Sequence, residues 1–358
     1  MKARLLSIRD NESFFLWGPR QVGKSSLLKA RFPENRYFDL LDRDLQLAFK
    51  LNPKRLREEV AEQKAGSLII IDEVQKVPEL LDEVHWLIEN RKLFFGLSGS
   101  SARKVKRGHA NLLGGRAFRY ELSGFVSAEL GNDFSVERIL NHGYLPRAYF
   151  SEEPKRVLHS YITDYLKEEI ADEGLVRNLP SFARFLDIAA ISDTETINYT
   201  NIASDCGVSR SAVVNYFQIL EDTLISHTLP AFTQRIKRRL KLSPKFYFTD
   251  VGIVNQLAKR GKIVLGSEVY GKAFENWIFH ELHCYIKYKE KDYDLSYWSL
   301  PNNTEVDFIV GDLECAIECK ASINIDNKSL KGLRELKKEH DRVKRRIVVC
   351  FEERPRIT

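Results

Sequence analysis

The sequence predicts an α/β fold: an open parallel sheet at the N-terminus, a helical middle, and a second, smaller α/β core at the C-terminus. Three observations predict it. A glycine-containing loop lies between an apolar run and a helical segment at residues 14–30, and a wholly apolar run at 67–71 ends in two acids. From residue 271 onward the periodicities read helix, three strands, helix, strand. At 358 residues the chain exceeds one typical core, and boundaries are expected at 1–125, 126–250 and 251–358. A hydrophobic content of 43% with 30% charged residues excludes the fibrous and disordered classes.

The first strand is Phe14-Phe15-Leu16-Trp17. It runs into Gly18-Pro19-Arg20-Gln21-Val22-Gly23-Lys24-Ser25, and Ser26-Leu27-Leu28-Lys29-Ala30 opens a helix. Glycines at this spacing let successive backbone N–H groups turn inward on a phosphate, at a helix N-terminus that favours anions. Lys24 then reaches the β- and γ-phosphates and the Ser25 hydroxyl ligates Mg²⁺. Gly18, Pro19, Arg20, Gln21, Val22, Gly23, Lys24, Ser25 and Ser26 are accordingly the expected ATP contacts.

Ser67-Leu68-Ile69-Ile70-Ile71-Asp72-Glu73 reads as a central parallel strand, buried on both faces. Its acids fall at the ligand-binding edge of an open sheet. Asp72 is expected to hold Mg²⁺ through its water shell and Glu73 to polarise the attacking water. A third strand, Lys92 to Leu97, leads into Ser98-Gly99-Ser100-Ser101. Ser100 is the favoured sensor of the γ-phosphate, with Ser98 and Ser101 near enough to compete. Arg116, in Leu113-Gly114-Gly115-Arg116, either stabilises transition-state charge, in cis or on a neighbouring subunit, or is an ordinary surface arginine.

Trp17 through Ser25, the strand end Ile71-Asp72-Glu73-Val74-Gln75 and the turn Ser98-Gly99-Ser100-Ser101-Ala102-Arg103 together resemble the prokaryotic AAA-type ATPases. They look most like the group whose C-terminal half carries a nuclease-like domain. The resemblance runs through most of the chain and is loosest in the middle third. It implies a P-loop ATPase architecture, with ring-forming homo-oligomers common among relatives.

In the middle, Arg156 to Ile170 reads as a long amphipathic helix. Asn198 to Phe217 reads as a helix-turn-helix: Ile202 and Ala203 in the first helix, Gly207 at the turn, Ser209 capping the second. Val213, Val214 and Phe217 form the expected buried stripe, while Arg210, Ser211 and Asn215 face outward as a recognition helix requires. A strand and the basic run Gln234 to Lys241 follow where a wing would lie, so a winged helix is expected. Such a module contacts DNA or serves as a protein-interaction surface. A second basic cluster spans Arg103 to Arg107.

At the C-terminus the expected elements are a helix at Gly271–Lys287 containing Glu275, strands at Tyr293–Leu300, Thr304–Val310 and Leu313–Lys320, a helix at Lys328–His340, and a strand at Arg345–Phe351. This order resembles the core of the PD-(D/E)xK nuclease superfamily, a restriction-endonuclease-like fold, although Val306 stands where the name has proline. Alternation puts Glu318 and Lys320 on one strand face, beside Asp307, with Glu275 completing a carboxylate cluster. Oxygen ligands of this kind suit Mg²⁺ or Mn²⁺, and Lys320 positions the attacking water or neutralises charge.

The five cysteines form no C-x-x-C pair, and Cys315, Ile317 and Cys319 share a strand face, which reads as core. No apolar stretch approaches a membrane span, and Arg9 and Asp10 interrupt any signal-peptide core, so the expectation is a cytoplasmic protein without a membrane partner. The functional expectation is a Mg-dependent ATPase acting on DNA. The alternative is a nucleotide-switched DNA- or protein-binding protein whose nuclease fold is inactive.

Overall fold

The computed structural model describes residues 2–100, 113–167, 176, 178–233, 243–302 and 304–357. Ser101 and the basic runs at 103–107 and 234–241 lie outside the described residues. Two compact units form: Met1–Phe125 with Asp222–Leu224, and Val126–Glu221 with Ile225–Thr358.

The first unit is built on five strands: β1 (Phe14–Trp17), β2 (Arg36–Asp39), β3 (Leu68–Asp72), β4 (Phe94–Gly99) and β5 (Phe118–Glu121). All pairings are parallel, in the order β2-β3-β4-β1-β5. Every residue of β1 and β3 is buried, which is why both read as unbroken apolar runs and not as alternations. Helices α1 (Lys24–Arg31), α2 (Arg43–Leu51), α3 (Arg55–Glu59) and α4 (Leu80–Arg91) connect them. The core joins Phe15, Trp17, Phe38, Phe49, Ile69, Ile71, Phe95 and Leu97, and Leu224 packs against it from far along the chain. Strand β4 continues two residues beyond its last apolar position, so Ser98 is a buried strand residue.

The second unit begins with short helices. Where a long helix is expected from Arg156, the chain makes a helix at Pro154–Ser160 and then wider π-type turns at Tyr161–Lys167. Helices α5 (Leu179–Ile191), α6 (Tyr199–Cys206) and α7 (Arg210–Asp222) follow. Gly207 ends α6 in the left-handed region (φ 65°), where a side chain would be strained. The Ser209 hydroxyl accepts from Ala212 N at 3.2 Å and starts α7. The buried face of α7 is Val213, Tyr216, Phe217, Ile219 and Leu220; Val214, expected in that stripe, is exposed. One step of 100° separates neighbours on a helix, and Tyr216 takes the place in the stripe.

Strands β6 (Ser226–Leu229) and β7 (Lys245–Phe248) pair antiparallel. After α8 (Val251–Leu257) comes α9 (Glu268–Tyr288), then β8 (Leu295–Ser299), β9 (Glu305–Val310), β10 (Cys315–Cys319), α10 (Lys331–Glu339) and β11 (Arg346–Val349). These last strands form one sheet, β11-β10-β9-β8, antiparallel except where β10 meets β11 across the α10 crossover. Cys206, Cys284 and Cys319 are buried thiols. Among the described residues no helix is long and apolar enough to cross a membrane.

Candidate functional site

The phosphate loop joins β1 to α1. Gly18 is needed for close approach: a Cβ there would lie 2.2 Å from the Leu122 carbonyl oxygen. The inward turns themselves are made at Gln21 (φ 61°) and Gly23 (φ 96°). Gln21 adopts a conformation that costs an L-residue about 1–2 kcal/mol, so the loop stores some backbone strain.

Lys24 is buried, and its ammonium donates to the Gly18 carbonyl at 2.8 Å and the Pro19 carbonyl at 3.0 Å. The lysine thus crosses its own loop. Burial lowers its pKa to about 8, against the upward pull of Glu73 and Asp72.

Asp72 ends β3 and is buried. The Tyr37 hydroxyl donates to its Oδ2 at 2.5 Å, and the Ser98 hydroxyl donates to its Oδ1. Burial and the Asp72 carboxylate raise the Tyr37 pKa far above its ordinary value, so the phenol stays protonated. Tyr37, Asp72 and Ser98 therefore form one chain of side chains at the strand edge.

Glu73 follows in the left-handed region (φ 59°), which swings its carboxylate off the strand. The Gln75 amide donates both to Glu73 and, at 3.1 Å, to the Ser100 hydroxyl. Of the serines named from the sequence, Ser98 touches Asp72, whereas Ser100 is joined to Glu73 through Gln75. Arg116 pairs with Glu89 of α4 and donates to the Leu113 and Gly114 carbonyls at 3.5 and 3.4 Å. Tyr37 carries no motif, sitting in a short mixed run, and Gln75 closes the Ile71–Gln75 strand end without a role that its residue type announces.

The second unit holds an acidic cluster. Glu275 lies on α9, Glu305 and Asp307 on β9, Glu318 on β10, with Lys320 one residue past the strand. The Lys320 ammonium is 2.6 Å from Glu318 Oε1. Asp307 Oδ2 accepts from Cys319 N at 2.7 Å, which fastens β9 to β10. Burial pushes the Glu318 and Asp307 carboxyls above their ordinary range.

Glu275 joins the cluster through β7. Its Oε1 accepts from the Tyr247 hydroxyl at 2.7 Å and lies 3.2 Å from the ammonium of Lys245. Among the described residues Glu275, Asp307 and Glu318 do not close into a compact three-oxygen set. Lys245, at the head of β7, had no sequence signal as a site residue, because its partners lie 30 and 60 positions away.

Both sites suit a hard divalent cation by donor chemistry: hydroxyl and carboxylate oxygens in the first unit, carboxylates in the second. In the second the Oε2 atom of Glu318 is buried with no hydrogen-bond partner among the described residues, which is what an oxygen awaiting a cation looks like.

Residues 10–131 match the family model of an AAA domain. Residues 133–263 and 270–356 match two domains of unknown function, DUF8612 and DUF4143. Uncharacterized proteins of Mycobacterium tuberculosis and Mycobacterium bovis are each 24% identical over 305 residues, covering 82% of this chain and 66% of theirs. The chain thus spans just under two thirds of the length of those relatives. Among solved structures, the ORC2 protein of Aeropyrum pernix in its ADPNP–ADP complexes is similar at 12% identity with a TM-score of 0.39, over 70% of this chain and 88% of that one. The N-terminal segment is an AAA-type ATPase domain by its family match.

Proposed function

We propose that this chain is an ATP-hydrolysing enzyme directed at DNA, with a winged-helix contact in the middle and a metal-dependent nuclease-like centre at the C-terminus. The observation that carries the reading is the meeting of Lys24, Ser25, Asp72 and Glu73 around one phosphate loop in a segment that matches an AAA domain. Lys24 exchanges the carbonyls of Gly18 and Pro19 for phosphate oxygens, and the loop N–H groups complete the anion site. Asp72 is held in one orientation by hydroxyls on both of its oxygens. Glu73, restrained by Gln75, orients the attacking water and takes its proton. Mg²⁺ held by Ser25 and Asp72 would neutralise charge developing on the transferred phosphoryl group.

DNA contact falls to α7, where Arg210, Ser211 and Asn215 are exposed, with the β6–β7 hairpin in the place of a wing. In the acidic cluster, Lys320 is positioned by Glu318 to steer a water toward a phosphodiester. A divalent ion on the cluster would lower the pKa of that water.

The test is ATP turnover and plasmid cleavage in Mg²⁺ and Mn²⁺, comparing wild type with Lys24→Ala and Lys320→Ala. Turnover lost in Lys24→Ala and cleavage lost in Lys320→Ala support the reading; cleavage that survives Lys320→Ala overturns the assignment of this centre. A second reading has one observation in its favour: Lys245 already neutralises part of the cluster. It makes the chain a nucleotide-switched binding protein, and intact ATP turnover with no cleavage in either metal selects it.

A further inference from the structure

We propose that Lys245 is a built-in cation of the acidic cluster, so that this centre takes a single divalent ion on Asp307 and Glu318 while Glu275 is held by the lysine. The inference rests on the metal-dependent reading above and deepens it.

Lys245 is not a surface lysine folded back by chance. Its side chain is 3% exposed, and its ammonium lies 3.2 Å from Glu275, 3.4 Å from Glu305 and 3.8 Å from Asp307. Its backbone is gripped from both sides, by Leu229 of β6 and by a bridge to Thr196. Tyr247, two residues on and therefore on the same strand face, donates to the same Glu275 oxygen. The Tyr247 ring is stacked on Phe279 at 4.3 Å, which fixes the hydroxyl. Both partners of Glu275 Oε1 thus come from β7, and this oxygen is already committed.

Charge balance favours one ion. Glu275, Glu305, Asp307 and Glu318 supply four negative charges when ionised, and Lys245 and Lys320 return two. Two negative charges remain, which one divalent ion balances. A second ion would leave a buried excess of positive charge, with ammonium and metal competing for the same oxygens. The open position is on the Glu318 side, where Lys320 takes Oε1 and leaves the buried Oε2 unpartnered among the described residues.

The experiment counts Mn²⁺ on the full chain without nucleotide, by calorimetry and by electron paramagnetic resonance of free Mn²⁺. Glu318→Gln defines the ions that belong to this cluster. The expected result is one cluster ion in the wild type and in Lys245→Arg. In Lys245→Met a second ion appears or Mn²⁺ binds about tenfold more tightly. Two cluster ions in the wild type, or a Lys245→Met protein with unchanged count and affinity, would overturn the inference while leaving the metal-dependent reading intact. Equal binding by wild type and Glu318→Gln removes both. If Lys245→Met does not fold, Lys245→Met with Glu275→Gln removes one charge of each sign. It should retain one ion at near wild-type affinity, and a loss of about tenfold or more would return Glu275 to the ligand set and overturn the inference.

Discussion

The phenolic hydroxyl of Tyr37 donates to Oδ2 of Asp72 at 2.5 Å, so a tyrosine of β2 bridges to the carboxylate expected to serve Mg²⁺. Tyr37→Phe removes that bridge without changing the ring. The Mg²⁺ concentration for half-maximal ATP turnover should rise about tenfold, the usual cost of losing an outer partner of a metal-binding carboxylate. Metal-free nucleotide binding should stay as it was. Titrating Mg²⁺ in a steady-state assay checks the first, and fluorescence of a bound nucleotide analogue in EDTA checks the second.

Nucleotide affinity should depend on pH through Lys24. Its pKa in the free protein is lowered to about 8, and phosphate contact favours the charged form, so the bound pKa is higher. Binding is therefore strongest below pH 8 and weakens as pH rises through that value, by up to about tenfold per pH unit. Calorimetry in buffers of different ionisation enthalpy should detect proton uptake on binding at pH 9 and little at pH 6.5, a span chosen to straddle the shifted value. Lys24→Met should flatten the profile.

Gln75→Leu keeps the volume but removes the amide that holds Glu73 and Ser100 together. Turnover should fall about tenfold, since a mispositioned base loses orientation and not basicity. Nucleotide Kd should be unchanged. A rise in Kd with unaltered turnover would assign Gln75 to binding instead.

Asp250 is a structural hub of the second unit. It is buried, caps α8 through Gly252 N and Ile253 N, and accepts from Tyr144 N at 2.7 Å and Leu145 N at 2.9 Å. Asp250→Ala strands four buried donors and should cost about 3 kcal/mol or more. Asp250→Asn, which keeps an acceptor, should cost less. Chemical denaturation followed by circular dichroism gives both values, while nucleotide binding reports on the first unit separately.

Motifs with short spacing are the part of this protein that a reader of residues finds. The loop Gly18 to Ser25, the Asp72-Glu73 pair and the Glu318-Lys320 alternation each encode local geometry in fewer than ten positions, and the strands around them announce themselves by apolar runs. Side chains that arrive from elsewhere do not. Tyr37 reaches Asp72 only because β2 pairs with β3 in parallel, with Asp39 opposite Asp72. Lys245 reaches Glu275 across 30 positions of chain. Helix α7 shows the same limit on a smaller scale. An apolar Val214 reads as core until packing chooses Tyr216, whose ring meets those of Phe182 and Phe185 at 5.1 and 5.2 Å.

Leu224 carries a consequence for how such a protein is assembled and rearranged over evolution. It is a non-glycine residue in the left-handed region (φ 58°), packed on the hydrophobic core of the N-terminal unit almost a hundred positions after that unit's main segment ends. Packing there has to outweigh a conformational penalty of about 1–2 kcal/mol. The core of the nucleotide-binding unit is therefore not made by one continuous stretch of chain. A gene fusion or truncation cut at Phe125 would carry the loop and the sheet intact, yet remove a residue that packs on their core.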